Sequence, residues 1–362
     1  MKSSKVNAYL GNEIHHFKKE GMKQIPEMWE DGQRVPLDRN HFEWWYFDAE
    51  LEDGSVITII FGPKPFFDTH FPTRPLIVID YTDPKGKLIR EFYFEKNWKE
   101  NYSSSKEQCE VRIKNNYFIG DLKNYKIKAK TKSIDAEISL ENLHQTMKRT
   151  GNGFLYFQKK GKEKYFSWFP SVPYGKVAGT LTVNGITKQI KGYGYHDHNW
   201  GNADPSSLFN HWYWSRAHFG DYVLLTGTMV LRKEYNYKQV PYVLLLDKTS
   251  VLTDDSRKLT VTYNQTEKHP KTKKMVSNLL EFNYEDDKIK FTLNIQRKKD
   301  LVLQNLLMMN SPHLFFNQIG KNPWYHRFLG KAKLVLEKNG KKEQYESTVI
   351  YELMYYGKNM RL

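Results

Sequence analysis

Hydrophobic and polar residues alternate with a period of two along most of this chain beyond residue 35. The alternating segments are short, rich in β-branched and aromatic residues, and bounded by Gly, Asp, Asn or Pro. This is the pattern of antiparallel β-strands. The segments include residues 55–61 (SVITIIF), 75–81, 88–95, 222–231, 242–247, 289–296 and 331–338. The pattern therefore predicts an all-β chain with many hairpins.

Turn signals agree with this prediction. Asp-Gly or Asn-Gly pairs occur at residues 53–54, 184–185 and 339–340, and such pairs favour two-residue hairpin turns. Residues 1–35 are polar and mixed in charge, and they predict an N-terminal extension with a short helix near residues 15–21. Elsewhere, short helices are compatible only with residues 303–310 and with parts of 141–150 and 312–328.

The chain also contains an internal repeat. Residues 43–58 (EWWYFDAELEDGSVIT) align without gaps on residues 211–226 (HWYWSRAHFGDYVLLT), and residues 175–197 align on residues 330–352. In the second match, Asp197 meets Glu352. Two matches in the same order indicate a duplicated architecture.

We therefore expect an N-terminal extension at residues 1–35 followed by two tandem β-barrel-like domains. The first domain is expected at residues 36–205 and the second at residues 206–362. A chain of 362 residues is long enough for two domains of this size.

The formal net charge is +15, but the lysines are scattered along the chain. Solubility explains this charge most simply, and contact with an anionic membrane surface is the alternative. Dense basic arms of the kind that bind nucleic acids are not found, so nucleic acid is not an expected partner. The single cysteine, Cys109, excludes an intramolecular disulfide and a CxxC site. A signal peptide and an apolar span of about 18–20 residues are also not found, which favours the cytoplasm, with peripheral membrane contact as the alternative.

Residues 192–201 (GYGYHDHNWG) carry the densest group of ionisable and aromatic side chains. Successive residues of a strand point to opposite faces of a sheet. One face of this strand is predicted to carry Tyr193, Tyr195, Asp197 and Asn199, and the other face Gly194, His196, His198 and Trp200. Periodicity does not indicate which face points inward, and three functions are compatible with the stretch.

The first is a metal site. His196 and His198 share a face at a spacing that zinc and copper sites use, and His41, His211 or His218 would supply a third ligand. Neither HExxH nor a second tight ligand pair accompanies them. We therefore predict no metal in the site.

The second function is acid catalysis. A carboxyl group among aromatic rings loses hydration, which favours its neutral form and raises its pKa. Asp197, with Tyr195 as its partner, is then able to donate a proton to a carbon–carbon double bond. The structural alternative is an ion pair between Asp197 and Arg216 or a bond to a backbone amide.

The third function is the binding of an apolar ligand, since aromatic-rich barrels also serve as carriers. Nucleophilic and nucleotide-dependent chemistry has little support, because GxSxG, GxGxxG and GxxxxGK[ST] are not found in the sequence.

Three motifs resemble a known family: HFEWWYFDAEL at the start, GYGYHDHNWGN in the middle and FNHWYWSRAHFGDYVLLTG directly after it. They are similar to the carotenoid 1,2-hydratase and AttH-like family, which includes hydroxyneurosporene synthases. The resemblance covers about residues 36–362. It implies two tandem lipocalin-like antiparallel β-barrel or sandwich domains. It also implies enzymes that work without a cofactor on hydrophobic polyenes, isoprenoids or polyketide-like metabolites, by hydration, cyclisation or isomerisation, including Diels–Alderase-type chemistry.

By this resemblance the catalytic acid is Asp197, its partner is Tyr195, and Trp168 forms a wall of the cavity. The hydratases carry a histidine near that tryptophan, whereas this chain has Phe166 and Ser167. The other expected substrate contacts are Trp44, Trp45, Glu43, His196, His211, Trp212, Trp214 and Arg216. We therefore expect an enzyme with a hydrophobic small-molecule substrate and no cofactor, and a lipocalin-like carrier is the alternative. The sequence carries no signal for an oligomeric state.

Overall fold

The computed structural model describes residues 7–65, 69, 72–144, 148–158, 163–306 and 323–357. The chain divides into two compact units, Met1–Pro205 and Ser206–Leu362. Each unit is built on one antiparallel sheet, so the prediction of an all-β chain is confirmed.

The sheet of the first unit is formed by thirteen strands. Their bounds are β1 Asn7–Leu10, β2 Phe42–Leu51, β3 Val56–Gly62, β4 Leu76–Thr82, β5 Leu88–Phe94, β6 Tyr102–Ser104, β7 Cys109–Ile113, β8 Asn116–Gly120, β9 Asn124–Lys130, β10 Ile134–Asn142, β11 Phe154–Gln158, β12 Lys164–Val183 and β13 Ile186–Gly201. The strand order is β5-β4-β3-β2-β13-β12-β10-β9-β8-β7-β6, and β11 joins β1 to β12. Strands β2 and β13 therefore lie next to each other, although about 140 residues separate them in sequence.

The sheet of the second unit is formed by nine strands. Their bounds are β14 Phe209–Phe219, β15 Tyr222–Leu231, β16 Gln239–Leu246, β17 Val251–Thr253, β18 Leu259–Lys268, β19 Met275–Glu285, β20 Ile289–Asn305, β21 Trp324–Lys338 and β22 Lys341–Tyr355. The strand order is β17-β16-β15-β14-β22-β21-β20-β19-β18.

The internal repeat is visible in both sheets. The order β3-β2-β13-β12 of the first unit corresponds to β15-β14-β22-β21 of the second. The registers also correspond, because Tyr46 pairs with Asp197 and the aligned Trp214 pairs with Glu352. The two units therefore place aligned carboxyl groups at equivalent positions.

Two of the predicted hairpin turns join the long strands of each repeat. Asn184 and Gly185 connect β12 to β13, and Asn339 and Gly340 connect β21 to β22. All four residues have positive φ, which asparagine tolerates and glycine adopts freely. These turns fix the register of strands β13 and β22.

Helices are short. Within the described residues they are α1 Ile14–Lys19, α2 Trp98–Asn101 and α3 Pro205–Leu208, with 3₁₀ turns at Met28–Asp31, Lys233–Tyr235 and Ser256–Lys258. Helix α1 confirms the helix expected near residues 15–21. Short helices were also expected at residues 303–310 and in parts of 141–150 and 312–328. Of these segments, residues 145–147 and 307–322 lie outside the described residues. Strands β10, β20 and β21 contain residues 141–142, 303–305 and 324–328 instead. None of the helices in the described ranges has the length and apolar character to cross a membrane.

The segment expected as an N-terminal extension is packed into the first unit. Strand β1 pairs with β11, and the turn at Met28–Asp31 brings a carboxyl group into the core. Asp31 is buried, and its Oδ2 accepts a hydrogen bond of 2.6 Å from the hydroxyl of Tyr125. The polar composition of this segment thus reflects buried polar contacts as well as exposure to solvent.

Candidate active site

Strands β2 and β13 present two different faces in the first unit. On one face, Trp45 and Phe47 belong to the hydrophobic core, and their cross-strand partners are His198 and His196. The opposite face carries the alternate residues of both strands. Its cross-strand pairs are Trp44 with Asn199, Tyr46 with Asp197, and Asp48 with Tyr195. We call this second face the carboxyl face.

Asp197 is the centre of the carboxyl face. Its side chain is buried, with only 7% of the residue exposed. Its Oδ2 accepts hydrogen bonds of 2.7 Å from the Tyr195 hydroxyl and 2.7 Å from Trp168 Nε1. Its Oδ1 accepts a hydrogen bond of 2.6 Å from Asn199 Nδ2. The carboxyl group is therefore held in one orientation by three neutral donors.

Burial also changes the acidity of this group. Loss of hydration disfavours the charged carboxylate and raises the pKa of Asp197 to about 7, although the bonds from Tyr195 and Trp168 act in the opposite direction. The fold therefore favours the protonated form of Asp197. A carboxyl group with a pKa close to the working pH is suited to general acid catalysis.

A second carboxyl group lies on the same face. Asp48 is buried, and its Oδ2 accepts a hydrogen bond of 3.0 Å from the hydroxyl of Tyr46. The ring of Tyr46 meets the ring of Tyr195 edge-on, with centroids 6.2 Å apart. The carboxyl face thus combines two aspartates with two tyrosines.

Aromatic rings extend the face beyond Asn199. Trp44 lies opposite Asn199, and its ring centroid is 6.1 Å from that of Phe166. Phe42 packs against both rings, at centroid distances of 5.1 and 5.4 Å. Phe166 and Ser167 stand where the family resemblance implied a histidine near the tryptophan, and the ring of Phe166 makes this part of the face apolar.

Three other predicted contacts lie on the core face, opposite Asp197. Trp45 stacks on His198 with ring centroids 4.6 Å apart. Glu43 Oε1 lies 2.9 Å from Nε2 of the same histidine, and His196 Nε2 lies 3.1 Å from Asp31 Oδ2. The structure therefore bonds Trp168 and Tyr195 to Asp197 and places Trp44 on the same face. Trp45, Glu43 and His196 belong to a buried network on the other side of the sheet.

The remaining predicted contacts belong to the second unit. Trp212, Trp214 and Arg216 alternate with His211 on strand β14, so they lie on the face that also carries Glu352. His211 lies on the core face, where its ring stacks on Tyr355 at 5.6 Å. Burial lowers the pKa of His211 to about 3, so this imidazole is neutral.

One group of described residues has side-chain types that occur in metal sites. Polar atoms of Asp31, Cys109 and His196 lie within 4.8 Å of one another. Asp31 is already bonded to Tyr125 and paired with His196, whose Nδ1 lies 2.8 Å from the Tyr46 carbonyl oxygen. Burial raises the pKa of the Cys109 thiol well above its usual value, which disfavours the thiolate that binds metals. A hydrogen-bonded ion pair accounts for this cluster.

Comparison with known proteins identifies the family. The sequence profile of the AttH-like family matches residues 69–306, which is more than half of the chain. The chain belongs to the AttH-like family. The family resemblance that the three motifs indicated is thereby confirmed.

One curated relative of this AttH-like chain is the hydroxyneurosporene dehydrogenase of Chlorobaculum tepidum. The two sequences are 26% identical over 208 residues, which cover 49% of this chain and 53% of the relative. The chain thus matches about half the length of that protein.

Solved structures share the fold of this AttH-like chain. CghA in complex with Sch210972 covers 98% of this chain and 100% of its own, with a TM-score of 0.60 and 13% identity. A putative AttH from Nitrosomonas europaea covers 90% of this chain and 97% of its own, with a TM-score of 0.57 and 16% identity. Kievitone hydratase from Nectria haematococca covers 89% of this chain and 93% of its own, with a TM-score of 0.54 and 13% identity. The predicted fold class of two all-β, lipocalin-like domains is confirmed.

Three residues of the carboxyl face were not among the predicted contacts of this AttH-like protein. Tyr46, Asp48 and Asn199 each bond to, or lie beside, the predicted residues Tyr195 and Asp197. A signal for two of them is present in the sequence, because the spacing Tyr-x-Asp occurs at residues 46–48 and again at 195–197.

Proposed function

We propose that this chain is an enzyme that transforms a hydrophobic polyene, isoprenoid or polyketide-like metabolite by protonating a carbon–carbon double bond. Asp197 is the general acid, and Tyr195 and Trp168 orient it. The reaction that follows protonation is a hydration, a cyclisation or an isomerisation. The proposal rests chiefly on one observation, the burial of the Asp197 carboxyl group among three neutral hydrogen-bond donors.

The partners of Asp197 favour catalysis over simple ligand binding. In the described part of the chain, the hydrogen-bonding partners of this carboxyl group are tyrosine, tryptophan and asparagine rather than lysine or arginine. A cationic partner would hold the carboxyl group in its ionised form. With neutral donors and little solvent, the group retains a proton that it can transfer.

The surroundings suit a cationic intermediate. Protonation of an alkene produces a carbocation, and the faces of tyrosine and tryptophan rings stabilise a cation by roughly 0.5–2 kcal/mol each when water is excluded. Tyr46, Tyr195 and Trp168 lie on the carboxyl face beside the proton donor. The name of one comparison protein, a kievitone hydratase, supports hydration as one of the reactions, and the name hydroxyneurosporene dehydrogenase supports the substrate class.

The test is turnover of an apolar extract of the source cells in deuterated water, followed by mass spectrometry. The wild-type protein is expected to place deuterium on carbon in at least one metabolite. Asp197→Asn is expected to lower this rate by about 10²–10⁴-fold, the usual contribution of a general acid. Asp135→Asn, which removes one member of a surface ion pair with Lys130, is the control that keeps the wild-type rate. Undiminished labelling by Asp197→Asn would reject the role of this residue.

A further inference from the structure

The carboxyl face carries a tyrosine and an aspartate two residues apart, Tyr-x-Asp, on each of two antiparallel strands. On β2, the Tyr46 hydroxyl donates to Asp48, two residues further along the strand, at 3.0 Å. On β13, the Tyr195 hydroxyl donates to Asp197, also two residues further along, at 2.7 Å. Each tyrosine lies directly opposite the aspartate of the other strand. The two tyrosines therefore occupy one diagonal of a four-residue patch, and the two carboxyl groups occupy the other.

This register fixes the separation of the carboxyl groups. Residues on a diagonal of an antiparallel pair lie roughly 7–8 Å apart, with their Cβ atoms somewhat closer. Each carboxyl group is bonded to the tyrosine of its own strand rather than to the other carboxyl group, and a spacing of this size leaves room for a water molecule. Inverting glycosidases, in which one carboxyl group is the acid and the other activates a water molecule, keep these groups about 6.5–9.5 Å apart to make room for that water.

The second unit shows that the fold does not require a second carboxyl group here. In the internal repeat, the residue that aligns with Asp48 is Arg216, and the residue that aligns with Tyr195 is Ile350. Their strands keep the same register, because Arg216 pairs with Ile350 as Asp48 pairs with Tyr195. Two buried carboxyl groups on one face repel each other when both are ionised, so their presence in the first unit has a cost that the second unit avoids. Asp48 is only 5% exposed.

We infer that Asp48 is the general base that activates a water molecule when Asp197 protonates the substrate, so that the reaction of this chain is a hydration. This inference rests on the function proposed above. It adds the second catalytic group and selects one of the three reactions.

The proton of Asp197 and the π electrons of the double bond form a new C–H bond, which leaves a carbocation on the neighbouring carbon. The water oxygen forms a C–O bond to that carbon, and one water proton passes to the Asp48 carboxylate. Release of this proton to solvent and uptake of another by Asp197 restore the starting state, so the net reaction is the addition of one water molecule.

The experiment follows two labels at once. Wild-type protein and its variants are incubated with the apolar extract of the source cells, in deuterated water that also contains ¹⁸O, and the products are analysed by mass spectrometry. The wild-type protein is expected to add one deuterium on carbon and one ¹⁸O to the same product. Asp197→Asn is expected to lose both labels.

Asp48→Asn separates the two steps. Without the base, the cation returns its proton to Asp197, so the substrate still exchanges hydrogen for deuterium. The gain of ¹⁸O is expected to fall by at least about 100-fold, and Asp48→Glu is expected to restore part of it. A residue with only a structural role would lower both labels together. Circular dichroism of each variant confirms that it is folded.

Each other outcome overturns a defined part of this account. If Asp48→Asn gains ¹⁸O at the wild-type rate, the role of Asp48 is wrong and that of Asp197 stands. If the wild-type product carries deuterium without ¹⁸O, the hydration is wrong and the reaction is an isomerisation or a cyclisation. If the wild-type protein adds neither label to any metabolite, the proposed function is wrong as well.

Discussion

The two units carry aligned carboxyl groups in opposite electrostatic settings. Asp197 of the first unit is bonded to Tyr195, Trp168 and Asn199, all of them neutral donors. Glu352 of the second unit is bonded to the hydroxyl of Tyr325 at 2.5 Å and to the guanidinium of Arg327 at 2.8 Å.

The difference shows how one architecture serves two purposes. A buried carboxylate beside a guanidinium stays ionised and forms a structural ion pair. A buried carboxyl group beside neutral donors keeps its proton near neutral pH and becomes an acid. The duplication supplied two equivalent positions, and the neighbouring residues determined which of them became the candidate acid.

The largest expected effect concerns the stability of the first unit. The pKa of Asp197 is raised to about 7, so the fold favours the protonated group. The stability that protonated Asp197 contributes is complete below the pKa of this residue in the unfolded chain, near 4, and is lost as the pH rises through 7. Because each pKa unit corresponds to about 1.4 kcal/mol, the loss is about 4 kcal/mol.

Asp197→Asn removes this dependence, since an amide does not titrate. The free energy of unfolding of the variant, minus that of wild type, should therefore increase by about 4 kcal/mol when the pH is raised from 4 to 8. Denaturant titrations at both pH values measure this change. A difference between variant and wild type that is the same at both values would contradict the raised pKa.

The equivalent substitution in the second unit should have the opposite result. Glu352→Gln removes the negative charge opposite Arg327, whose side chain is buried. Breaking a buried ion pair on one side costs about 3 kcal/mol or more, so this variant should be less stable than wild type at pH 7. Thermal and denaturant unfolding provide the measurement, and a loss below about 1 kcal/mol would show that the ion pair is not what holds Glu352.

Acid should weaken the second unit through its buried histidines. Burial lowers the pKa of His211 and of His326 to about 3. The fold favours the neutral forms of both imidazoles. The stability that these neutral histidines contribute is complete above pH 6.5 and is lost as the pH falls towards 3. At pH 5 the expected loss is about 2 kcal/mol for each histidine.

Hydrogen–deuterium exchange of peptides from each unit tests this loss. Peptides from the strands of the second unit should exchange faster at pH 5 than at pH 7, after correction for the intrinsic effect of pH. In His211→Gln the acceleration should be smaller. Equal acceleration in the variant and the wild type would rule out His211 as a source of acid sensitivity.

The smallest effect concerns one hydrogen bond to Asp197. Trp168→Phe keeps an aromatic ring but removes the Nε1 donor that lies 2.7 Å from Oδ2. A hydrogen bond to a charged group contributes about 1.5–3 kcal/mol, so the pKa of Asp197 should rise by about one to two units. Trp44→Phe, on the same face, is the control and should leave that pKa in place. Carboxyl stretching bands in infrared spectra recorded across the pH range report the shift.

Sequence patterns predicted much of the fold because the relevant signals are local. Alternation with a period of two, the Asn-Gly turns and the repeat at residues 43–58 and 211–226 each depend on neighbouring residues. They gave the all-β class and placed Tyr195, Asp197 and Asn199 on one face of strand β13. The register confirms that placement, since these residues lie opposite Asp48, Tyr46 and Trp44.

The composition of the site was harder to predict, for two physical reasons. Periodicity carries no information about which face of a strand is buried in the core, so Glu43, Trp45 and His196 were grouped with residues of the opposite face. The partners of the core histidines also come from distant segments. Asp31 reaches His196 from the polar N-terminal segment, and no local pattern marks such a contact.

Strand β12 illustrates a further difficulty. Its register against β13 shifts between Phe169 and Val172 and again between Val172 and Gly175. The two-residue alternation of side chains therefore does not predict the faces of residues beyond the first shift, because each irregularity can change the face of every later residue. Trp168 was placed near Asp197 by family resemblance, and the structure shows the hydrogen bond that joins them.

The proposed chemistry requires that Asp197 holds a proton near neutral pH. Carbon-13 NMR of the side-chain carboxyl groups of aspartate, with the signal of Asp197 assigned by its loss in Asp197→Asn, measures this directly and needs no substrate. The account predicts a titration with a pKa of about 7. A titration near pH 4, the usual value for aspartate, would contradict it.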